Sequence, residues 1–388
     1  MEIAAITGLV IALTIWWLFE YRNHNRRLES IPIRVHINGS RGKSSITRLI
    51  GGALRIGGIR TVTKTTGTHA RFIYPDGHEE PIIRIGPANI KEQRWVIKKT
   101  AELNVDALVT ECMAIDPEFQ WVLQYKYIKG TIGVLTNVRS DHLDVMGPTI
   151  REASDAMSSI MPRDGICFTA EIEKLDWLEP IAQKLDCKLF PTYPESISDD
   201  DIRGFSYIEH KENVALALAV ALHLGVPRDV ALKGMWEAEP DPGVLRIFSS
   251  ERNNQKIRFA NAFAANDPES TCMVIDLLNS YLEPDEKIIV LANSRADRIH
   301  RASQLGELMG ENIPADYYVL VGAYLNVISE KMESSGIPKE KIAFIPEGDP
   351  KYVLEHVLKI PGDKKFIVGI GNIGGAGHNI ADFFSEEQ

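Results

Sequence analysis

The chain has 388 residues, of which 44% are hydrophobic and 25% charged, an ordinary globular composition with room for two domains. Its 29 glycines and 20 prolines are scattered without a period, which excludes collagen-like and low-complexity chains. The formal net charge of −10 argues against nucleic acid as a main partner, because phosphate backbones attract basic proteins. The 4 cysteines lie far apart without zinc-ligand spacing, which indicates reduced thiols.

The N-terminus carries a run of 17 uncharged residues, residues 3–19. As a helix rising about 1.5 Å per residue, this run reaches roughly 25 Å, just enough to cross a bilayer core. No positive charge precedes it, and it ends in an aromatic cluster typical of a membrane interface, so a cleaved signal peptide is disfavoured. Three arginines follow and place the remaining chain in the cytoplasm, namely Arg22, Arg26 and Arg27. The alternative is an apolar helix buried in a soluble protein.

Beyond the anchor, short β-rich runs alternate with helical patterns, which is typical of parallel α/β architecture. We predict strands over residues 34–37, 107–110, 131–136 and 166–169, and helices over 44–57 and 88–103. A Pro/Gly-rich break at residues 239–243 predicts a hinge, and a second set of strands follows at 257–260, 287–292, 317–321, 342–345 and 365–370. The expected parts are residues 1–30 as membrane anchor and basic juxtamembrane segment, 31–243 as central domain and 244–388 as C-terminal α/β domain.

The first predicted strand leads into a glycine-rich loop and a helix, through Asn38-Gly39-Ser40-Arg41-Gly42-Lys43-Ser44-Ser45. The glycines let backbone N–H groups approach phosphates, and the helix N-terminus adds a favourable dipole. Lys43 can reach the outer phosphates of a nucleotide, and the Ser44 hydroxyl can ligate Mg²⁺. The spacing departs from a standard Walker A motif, which has glycine at the place of Ile37, and an ordinary turn is the alternative.

Two further strand ends carry polar residues suited to a metal. Glu111 ends the strand that begins at residue 107, and Asn137 follows the next strand, shortly before Asp141-His142-Leu143-Asp144. Because ligands bind beyond the carboxyl ends of parallel strands, these residues are expected to converge with the glycine-rich loop. A carboxylate and an imidazole opposite a phosphate loop suit a divalent cation. Taken singly, Glu111 could be a strand-end cap and His142 a loop-stabilising side chain.

In this order of motifs the sequence resembles the Mur ligase superfamily, over about residues 31–388. The phosphate loop is similar to G-T-x-G-K-[ST], and Glu111 and the segment from Thr136 to Asp144 match the family's metal-binding positions. The remaining matches are Asn213 at the family's adenine-side position, a linker arginine at Arg246, the segment 261–270 that opens with Asn261, and the Arg-x-Asp of 295–297. The resemblance implies a P-loop central α/β domain and a smaller Rossmann-like C-terminal α/β domain.

Within the superfamily, the chain is most similar to the ligase subunits of poly-γ-glutamate synthases, the CapB/PgsB type. The local runs that carry this resemblance are KTTGTHAR (64–71), SDHLDVMGPT (140–149), PDPG (240–243), FAAND (263–267) and NSRADR (293–298). A single N-terminal transmembrane helix fits that type. No UDP-binding domain precedes the phosphate loop, which separates the chain from ligases of peptidoglycan precursors.

The resemblance implies an ATP-dependent amide ligase that uses Mg²⁺ or Mn²⁺. ATP would phosphorylate a γ-carboxylate of the polymer, and the amine of an incoming glutamate would displace phosphate. Catalysis falls to Lys43, Glu111 and His142, and metal binding to Ser44, Glu111 and His142. Nucleotide binding falls to the loop from Gly39 to Ser45 (Gly39, Ser40, Arg41, Gly42, Lys43, Ser44 and Ser45) with Asn213, Arg246 and Asn261. Candidates for binding substrate carboxylates are Arg71, Arg295 and Arg298, and for each of them the alternative is a solvated surface arginine.

The resemblance also implies partners. They are glutamate, the growing polymer, a multi-span membrane subunit and an exporter subunit, while self-association stays open.

The chain departs from the superfamily in two places. Many Mur ligases carry a carbamoylated lysine where this chain has Met157, so the second metal must be held differently. Asn261 replaces the family's ribose-binding aspartate and carries no charge.

Three other functions compete with this interpretation. A membrane-tethered P-loop GTPase would need an N-K-x-D motif, and the residues after Thr136 do not supply one. A non-catalytic ATP-binding scaffold is disfavoured by the retained Lys43, Glu111 and His142. A folylpolyglutamate-type or other Mur-superfamily ligase is the nearest enzymatic alternative, but it does not call for a membrane anchor.

We predict that the N-terminal segment anchors the protein and that the remainder faces the cytoplasm. The intact chain should stay with membranes washed in alkaline carbonate, and its C-terminus should resist protease added outside cells. Release into the carbonate supernatant, or cleavage of the C-terminus from outside, would contradict this prediction.

Overall fold

The computed structural model describes residues 2–67, 70–84, 86, 88–241, 245–263, 265, 267–296 and 299–386. Its contacts divide the chain into two units, Met1–Asp241 and Pro242–Gln388. This division falls close to the boundary expected after residue 243. Residues 242–244, in and beside the expected hinge, lie outside the described residues.

The first unit begins with a long helix and continues with alternating strands and helices. Its helices are α1 (Glu2–Glu29), α2 (Lys43–Ile56), α3 (Glu92–Glu102), α4 (Pro117–Val122), α5 (Leu143–Met146), α6 (Ile150–Met157), α7 (Leu175–Lys184), α8 (Asp199–Arg203), α9 (Lys211–His223) and α10 (Arg228–Trp236). Its strands are β1 (Ile33–Asn38), β2 (Thr61–Lys64), β3 (Arg71–Ile73), β4 (Glu79–Pro81), β5 (Ala107–Glu111), β6 (Ile132–Leu135), β7 (Ile166–Thr169) and β8 (Lys188–Pro191). A π-helical turn, Leu123–Ile128, follows α4.

These strands form one sheet in the order β4-β3-β2-β5-β1-β6-β7-β8. The strands from β2 to β8 in this order are parallel, and β3 and β4 pair antiparallel at one edge. Val35 and Val109 point to one face, where they pack against α2, α9 and α10. Leu108 and Val62 point to the opposite face, where they pack with α1 and α3. Helices therefore cover both faces of the sheet, as the near-continuous apolar strands require.

Two glycines allow α2 and α10 to pack backbone against backbone. A Cβ atom on Gly52 would clash with the carbonyl oxygen of Gly234, and a Cβ on Gly234 would clash with that of Gly52. Neither clash could be relieved by turning a flexible side chain, because both partners are main-chain atoms. This close approach packs α2, the helix after the phosphate loop, directly against α10.

α1 has the properties of a membrane span. Its segment Ala5–Glu29 is long and apolar enough to cross a bilayer, and none of the apolar window is covered by the protein. Among the described residues, a single helix meets this criterion of length and composition. At the other end of α1, Leu28 is buried in the core with α3.

The second unit is a smaller α/β domain. Its strands are β9 (Ile247–Arg252), β10 (Gln255–Asn261), β11 (Lys287–Ser294), β12 (Tyr317–Gly322), β13 (Ile342–Ile345) and β14 (Lys364–Gly371), in the order β13-β12-β11-β14-β10-β9. β9 is antiparallel to β10, and the other neighbours are parallel. Its helices are α11 (Pro268–Asn279), α12 (Ile299–Glu311), α13 (Leu325–Ser334), α14 (Pro350–Lys359) and α15 (Ala376–Glu386).

The predicted strands are all present, each within two residues of its expected ends. The helix predicted over 44–57 is α2, but the one predicted from residue 88 begins only at Glu92. The side chain of Asn89 accepts a hydrogen bond from the Lys91 N–H at 2.9 Å, and such a local turn competes with the helix. Five strands were not predicted, namely β2, β3, β4, β8 and β9. β2 was missed because three of its four buried side chains, Thr61, Thr63 and Lys64, are polar or charged.

His36 is a buried imidazole in β1, the strand that precedes the phosphate loop. Its Nδ1 lies 2.8 Å from Oε1 of Gln124, and its Nε2 has no hydrogen-bond partner in the described part of the chain. Burial disfavours the charged ring and lowers the pKa of His36 to about 4. The unfolded chain, with an ordinary histidine pKa near ~6.5, therefore binds this proton more readily than the folded one.

We predict that His36 makes the fold sensitive to acid. Its contribution to stability is complete above the unfolded pKa and is lost as the pH falls toward 4, by up to about 3 kcal/mol. His36→Gln retains an amide donor for Gln124 but cannot take up the proton. Chemical denaturation at pH 8 and pH 5 should show a larger loss of stability in the wild type than in the variant. Equal losses in the two proteins would contradict the prediction.

Candidate active site

The loop between β1 and α2 depends on two glycines with positive φ. Gly39 has a φ of 134° and Gly42 a φ of 81°, values that side chains rarely adopt. Space is a second constraint, since a Cβ on Gly39 would clash with the hydroxyl of Thr136. A Cβ on Gly42 would lie 2.9 Å from Oδ1 of Asn213. The sequence analysis predicted that these glycines shape the loop. The structure adds that Thr136 and Asn213 leave no room for a larger side chain at either position.

The loop is fastened to the end of β6. The Thr136 hydroxyl donates to the carbonyl of Arg41 at 2.6 Å, and Oδ1 of Asn137 accepts from the N–H of Arg41 at 3.0 Å. The carbonyl of Asn137 accepts from the N–H of Ser40, also at 3.0 Å. These bonds pair the N–H groups of Ser40 and Arg41. The N–H groups in the first turn of α2, at Lys43, Ser44 and Ser45, have no acceptors within the helix.

Lys43 lies at the start of α2 and folds back over the loop. Its ammonium donates to the carbonyls of Gly39 at 2.5 Å and Ser40 at 3.2 Å, and the residue is half-buried. Burial lowers the pKa of Lys43, and the nearby carboxylate of Glu111 partly restores it. A cation and a helix N-terminus at one loop form an anion-binding arrangement.

Glu111 lies at the carboxyl end of β5 and is only 1% exposed. Its Oε2 accepts from the Ser44 hydroxyl at 2.9 Å, and its Oε1 accepts from the N–H groups of Thr66 and Gly67. Burial raises the pKa of Glu111, while the ammonium groups of Lys64 and Lys43 act in the opposite direction. The structure thus brings two of the three predicted metal ligands, Ser44 and Glu111, into direct contact.

His142 lies in the loop after β6, with an unusual positive φ of 50°. Its Nε2 is 3.7 Å from Oδ1 of Asp141, and Asp141 in turn lies 3.6 Å from the guanidinium of Arg41 in the phosphate loop. Among the described residues, no three His, Cys, Asp or Glu side chains are grouped to hold a metal. A metal site that joins His142 to Glu111 therefore stays a prediction.

Asn213 lies in the first turn of α9, against Gly42 of the phosphate loop. Its amide donates to Oε1 of Glu209 at 2.7 Å, and Glu209 is buried with a raised pKa caused mainly by that burial. The other oxygen of Glu209 is buried without a partner among the described residues. The family position predicted for Asn213 thus lies beside the loop in the structure.

In the second unit, Arg246 and Asn261 are neighbours. The N–H of Asn261 donates to the carbonyl of Arg246 at 3.0 Å. The Oδ1 of Asn261 and the Nε of Arg246 are both buried without a hydrogen-bond partner in the part of the chain described. Buried polar atoms are normally paired, so these two suit a polar ligand.

A cleft lies at the carboxyl ends of β11 and β14 in the second unit. Its polar lining comes from Asp267, Asn293, Arg295, Arg301 and Asn372. Arg295 is therefore in a place where it can meet a small anionic molecule. Arg298 lies outside the described residues, and Arg71 is the first residue of β3 in the first unit.

Lys64 is a site residue that the sequence analysis missed. It is fully buried at the end of β2, and its ammonium lies 2.8 Å from Oε1 of Glu92. The other oxygen of Glu92, Oε2, lies 2.7 Å from Nε of Arg84. Lys64 also donates to the hydroxyl of Thr66, whose N–H binds Glu111. A lysine directly before Thr-Thr-Gly was the available signal, but β2 had not been predicted, so its place near Glu111 was not apparent.

Comparisons with known proteins agree on the kind of protein. The family model of the "Poly-gamma-glutamate synthase CapB C-terminal domain" matches residues 247–387, and that of the "Mur ligase middle domain" matches 37–224. The capsule biosynthesis protein CapB of Bacillus anthracis is 38% identical, over 100% of this chain and 84% of that protein. The PGA synthase CapB of Bacillus subtilis is 36% identical, over 95% of this chain and 94% of that protein.

Solved structures share the fold at low sequence identity. A bifunctional folylpolyglutamate synthase/dihydrofolate synthase from Yersinia pestis, complexed with AMPPNP and Mn, has a TM-score of 0.67 at 12% identity, covering 95% of this chain and 93% of that one. MurF from Acinetobacter baumannii has a TM-score of 0.62 at 14% identity, covering 95% and 79%. The chain therefore belongs to the CapB family of poly-gamma-glutamate synthases, ATP-dependent amide ligases with the Mur ligase fold.

Proposed function

We propose that this chain elongates poly-γ-glutamate through an acyl phosphate formed from ATP. The observation that carries the proposal is the meeting of Lys43, Ser44 and Glu111 at the carboxyl ends of β1 and β5. A cation, a hydroxyl and a buried carboxylate at a helix N-terminus suit a nucleotide triphosphate with its metal. Membership of the CapB family supports poly-γ-glutamate as the polymer and an amide as the bond that is formed.

In the first step, the phosphate loop would hold ATP while a γ-carboxylate of the polymer attacks the γ-phosphorus. The bond between that phosphorus and the β,γ-bridging oxygen breaks, and ADP leaves. Lys43 would leave its present loop carbonyls for the transferring phosphoryl group and screen its charge. The N–H groups of the first turn of α2 would bind the remaining phosphate oxygens.

In the second step, the amine of glutamate attacks the acyl carbon, phosphate leaves, and the nitrogen gives up a proton to complete the γ-amide. Both steps need the reactants held in line, so positioning is the main task of the protein. Arg295 in its cleft, Arg298 and Arg71 are the guanidinium groups that we assign to substrate carboxylates. Arg246 and Asn261, with their unpaired buried atoms, are assigned to the nucleotide.

The donor set also fits a hard cation. Ser44 and Glu111 supply oxygen atoms in contact, and His142, tied to the same loop through Asp141 and Arg41, supplies a nitrogen. When bound, Mg²⁺ or Mn²⁺ would neutralise charge on the transferring phosphoryl group. Met157 is buried in α6 and cannot carry a carbamate, so no lysine bridge is expected.

We assign the chain to the cytoplasmic side of a membrane, anchored by α1. The exposed apolar surface of this helix supports the assignment, and so do Arg22, Arg26 and Arg27, which follow the apolar run within the same helix. A span of 17 apolar residues is short, which favours association with other membrane helices. A multi-span subunit and an exporter subunit are the partners that we propose.

Lys43→Ala should lower glutamate-dependent ADP formation on the order of 10²–10³-fold, because an oriented charge at the transferring phosphoryl group is lost. The measurement is ADP release by the membrane-bound protein with and without glutamate, with the product sized on a gel. Lys233→Ala, an exposed lysine on α10, is the matched control and should leave turnover unchanged. Near-normal ADP formation by a folded Lys43→Ala protein would refute the ligase mechanism.

His142→Ala and Glu111→Gln should each raise the Mg²⁺ concentration needed for half-maximal turnover, more than they raise the glutamate requirement. Each substitution removes one metal ligand, whereas the carboxylate of Glu102, exposed at the end of α3, serves as control in Glu102→Gln. Added bicarbonate should not stimulate the wild type. An unchanged metal titration in both variants, or rescue by bicarbonate, would show that the ligand assignment is mistaken.

A further inference from the structure

The last part of α1 is fixed rigidly to the first unit. Leu28 is buried in the core shared with α3, and three polar contacts lie ahead of it along the helix. They join Glu20 to Arg94 at 2.9 Å, His24 to the carbonyl of Tyr127 at 2.8 Å, and Asn25 to Lys129 at 2.8 Å. The apolar and docked parts belong to one continuous helix, so the direction in which the membrane span leaves the unit is set by these contacts.

That direction can be read from the sheet. The guanidinium of Arg34, near the start of β1, donates to the carbonyls of Leu28 at 3.0 Å and Ile31 at 2.5 Å. The C-terminal end of α1 therefore lies at the amino ends of the parallel strands. Glu20 lies two turns earlier in α1, and its contact with α3 shows which end of the strands it is near.

α3 runs antiparallel to β5. Ile90, just before α3, packs against the apolar cluster that contains Cys112, just past the carboxyl end of β5, and the Gln93 amide lies 3.7 Å from the sulfur of Met113. The first turn of α3 thus lies at the carboxyl ends of the strands, and Arg94 of that turn is the partner of Glu20. The apolar residues 3–19 therefore project beyond the carboxyl edge of the sheet, the edge that carries the phosphate loop.

This edge exposes large apolar side chains. Ile115 and Phe119 follow the carboxyl end of β5 and are 40% and 49% exposed, and Trp95 in the first turn of α3 is 45% exposed. Single exposed apolar residues are common on soluble proteins. Three of them at the edge from which an apolar helix emerges indicate a surface that meets the same apolar medium.

The junction itself has the chemistry of a headgroup layer. Trp17 stacks on Tyr21, with the ring centres 5.8 Å apart. Aromatic rings are typical of the membrane interface. That layer is about 5–8 Å thick on each side of a bilayer, or roughly three to five residues of helix. Arg94, beside Glu20, therefore lies at its depth.

We propose that the carboxyl edge of the first sheet lies on the cytoplasmic headgroup layer, so that the phosphate loop faces the membrane. We call this surface, formed by Trp95, Ile115 and Phe119, the membrane-facing edge. The proposal rests on the membrane location and ligase function proposed above. It implies that the polymer is extended next to the bilayer rather than toward the cytoplasm.

The test places a photoreactive p-benzoylphenylalanine in the full-length chain, at Phe119 or at a reference position. The protein is reconstituted in vesicles of phosphatidylcholine and phosphatidylglycerol, and covalently attached lipid is measured after irradiation. Trp17 in the apolar run is the positive reference. Leu222 is the matched control, since it is 47% exposed in the last turn of α9, on the opposite face of the sheet and far along the helix from Asn213 at the loop. Glutamate-dependent ADP formation is measured in the same vesicles.

We expect lipid on the Trp17 and Phe119 probes and several-fold less on the Leu222 probe. Lipid on Trp17 without lipid on Phe119 would overturn the membrane-facing edge while leaving the anchor intact. Equal labelling of Phe119 and Leu222, or attachment of Phe119 only to a second copy of the chain, would also overturn it. Absence of lipid on Trp17 would refute the anchor and this proposal together, whereas glutamate-dependent ADP formation would still support the ligase function.

Discussion

The hydrogen bonds between the phosphate loop and the end of β6 are the constraint on which the candidate site depends. Thr136 and Asn137 bind polar main-chain groups of Ser40 and Arg41, so contacts within the protein hold the loop in place. The conformation of the loop requires positive φ at Gly39 and Gly42. Preorganisation of this kind means that a bound phosphate would not have to order the loop, which favours both affinity and rate.

Buried charge is the second feature that the site must accommodate. Lys64, Glu92 and Glu111 are all removed from most of the solvent, and an isolated charge in such a place would be strongly destabilising. Each is instead paired or hydrogen-bonded, with Lys64 linking Glu92 to the turn that binds Glu111. Burial raises the pKa of Glu111, and the ammonium groups of Lys64 and Lys43 act in the opposite direction.

α1 connects this site to its surroundings. A flexible tether would leave the first unit free to rotate above a bilayer, whereas a continuous helix docked through Glu20, Asn25 and Leu28 transmits an orientation. The exposed aromatic and aliphatic side chains at the carboxyl edge and the apolar surface of the helix would then contact the same bilayer. Two features that look unrelated in the sequence, a hydrophobic N-terminus and a few exposed apolar residues after β5, become parts of one surface.

The sequence by itself determined the parallel α/β architecture, the apolar N-terminal helix and the phosphate loop, because apolar periodicity, glycine spacing and strand-to-helix succession are local properties. It also indicated Glu111 and Ser44 as partners, since strand ends in a parallel sheet converge. Only the tertiary structure decided that β2 is an interior strand, that Lys64 lies near Glu111, and that α1 leaves the sheet at the edge that carries the glycine-rich loop. Each of these depends on contacts between residues distant in the chain: the buried polar side chains of β2 look unsuited to a strand until Glu92 and Glu111 are in place, and the direction of α1 is set by Arg34 and Arg94.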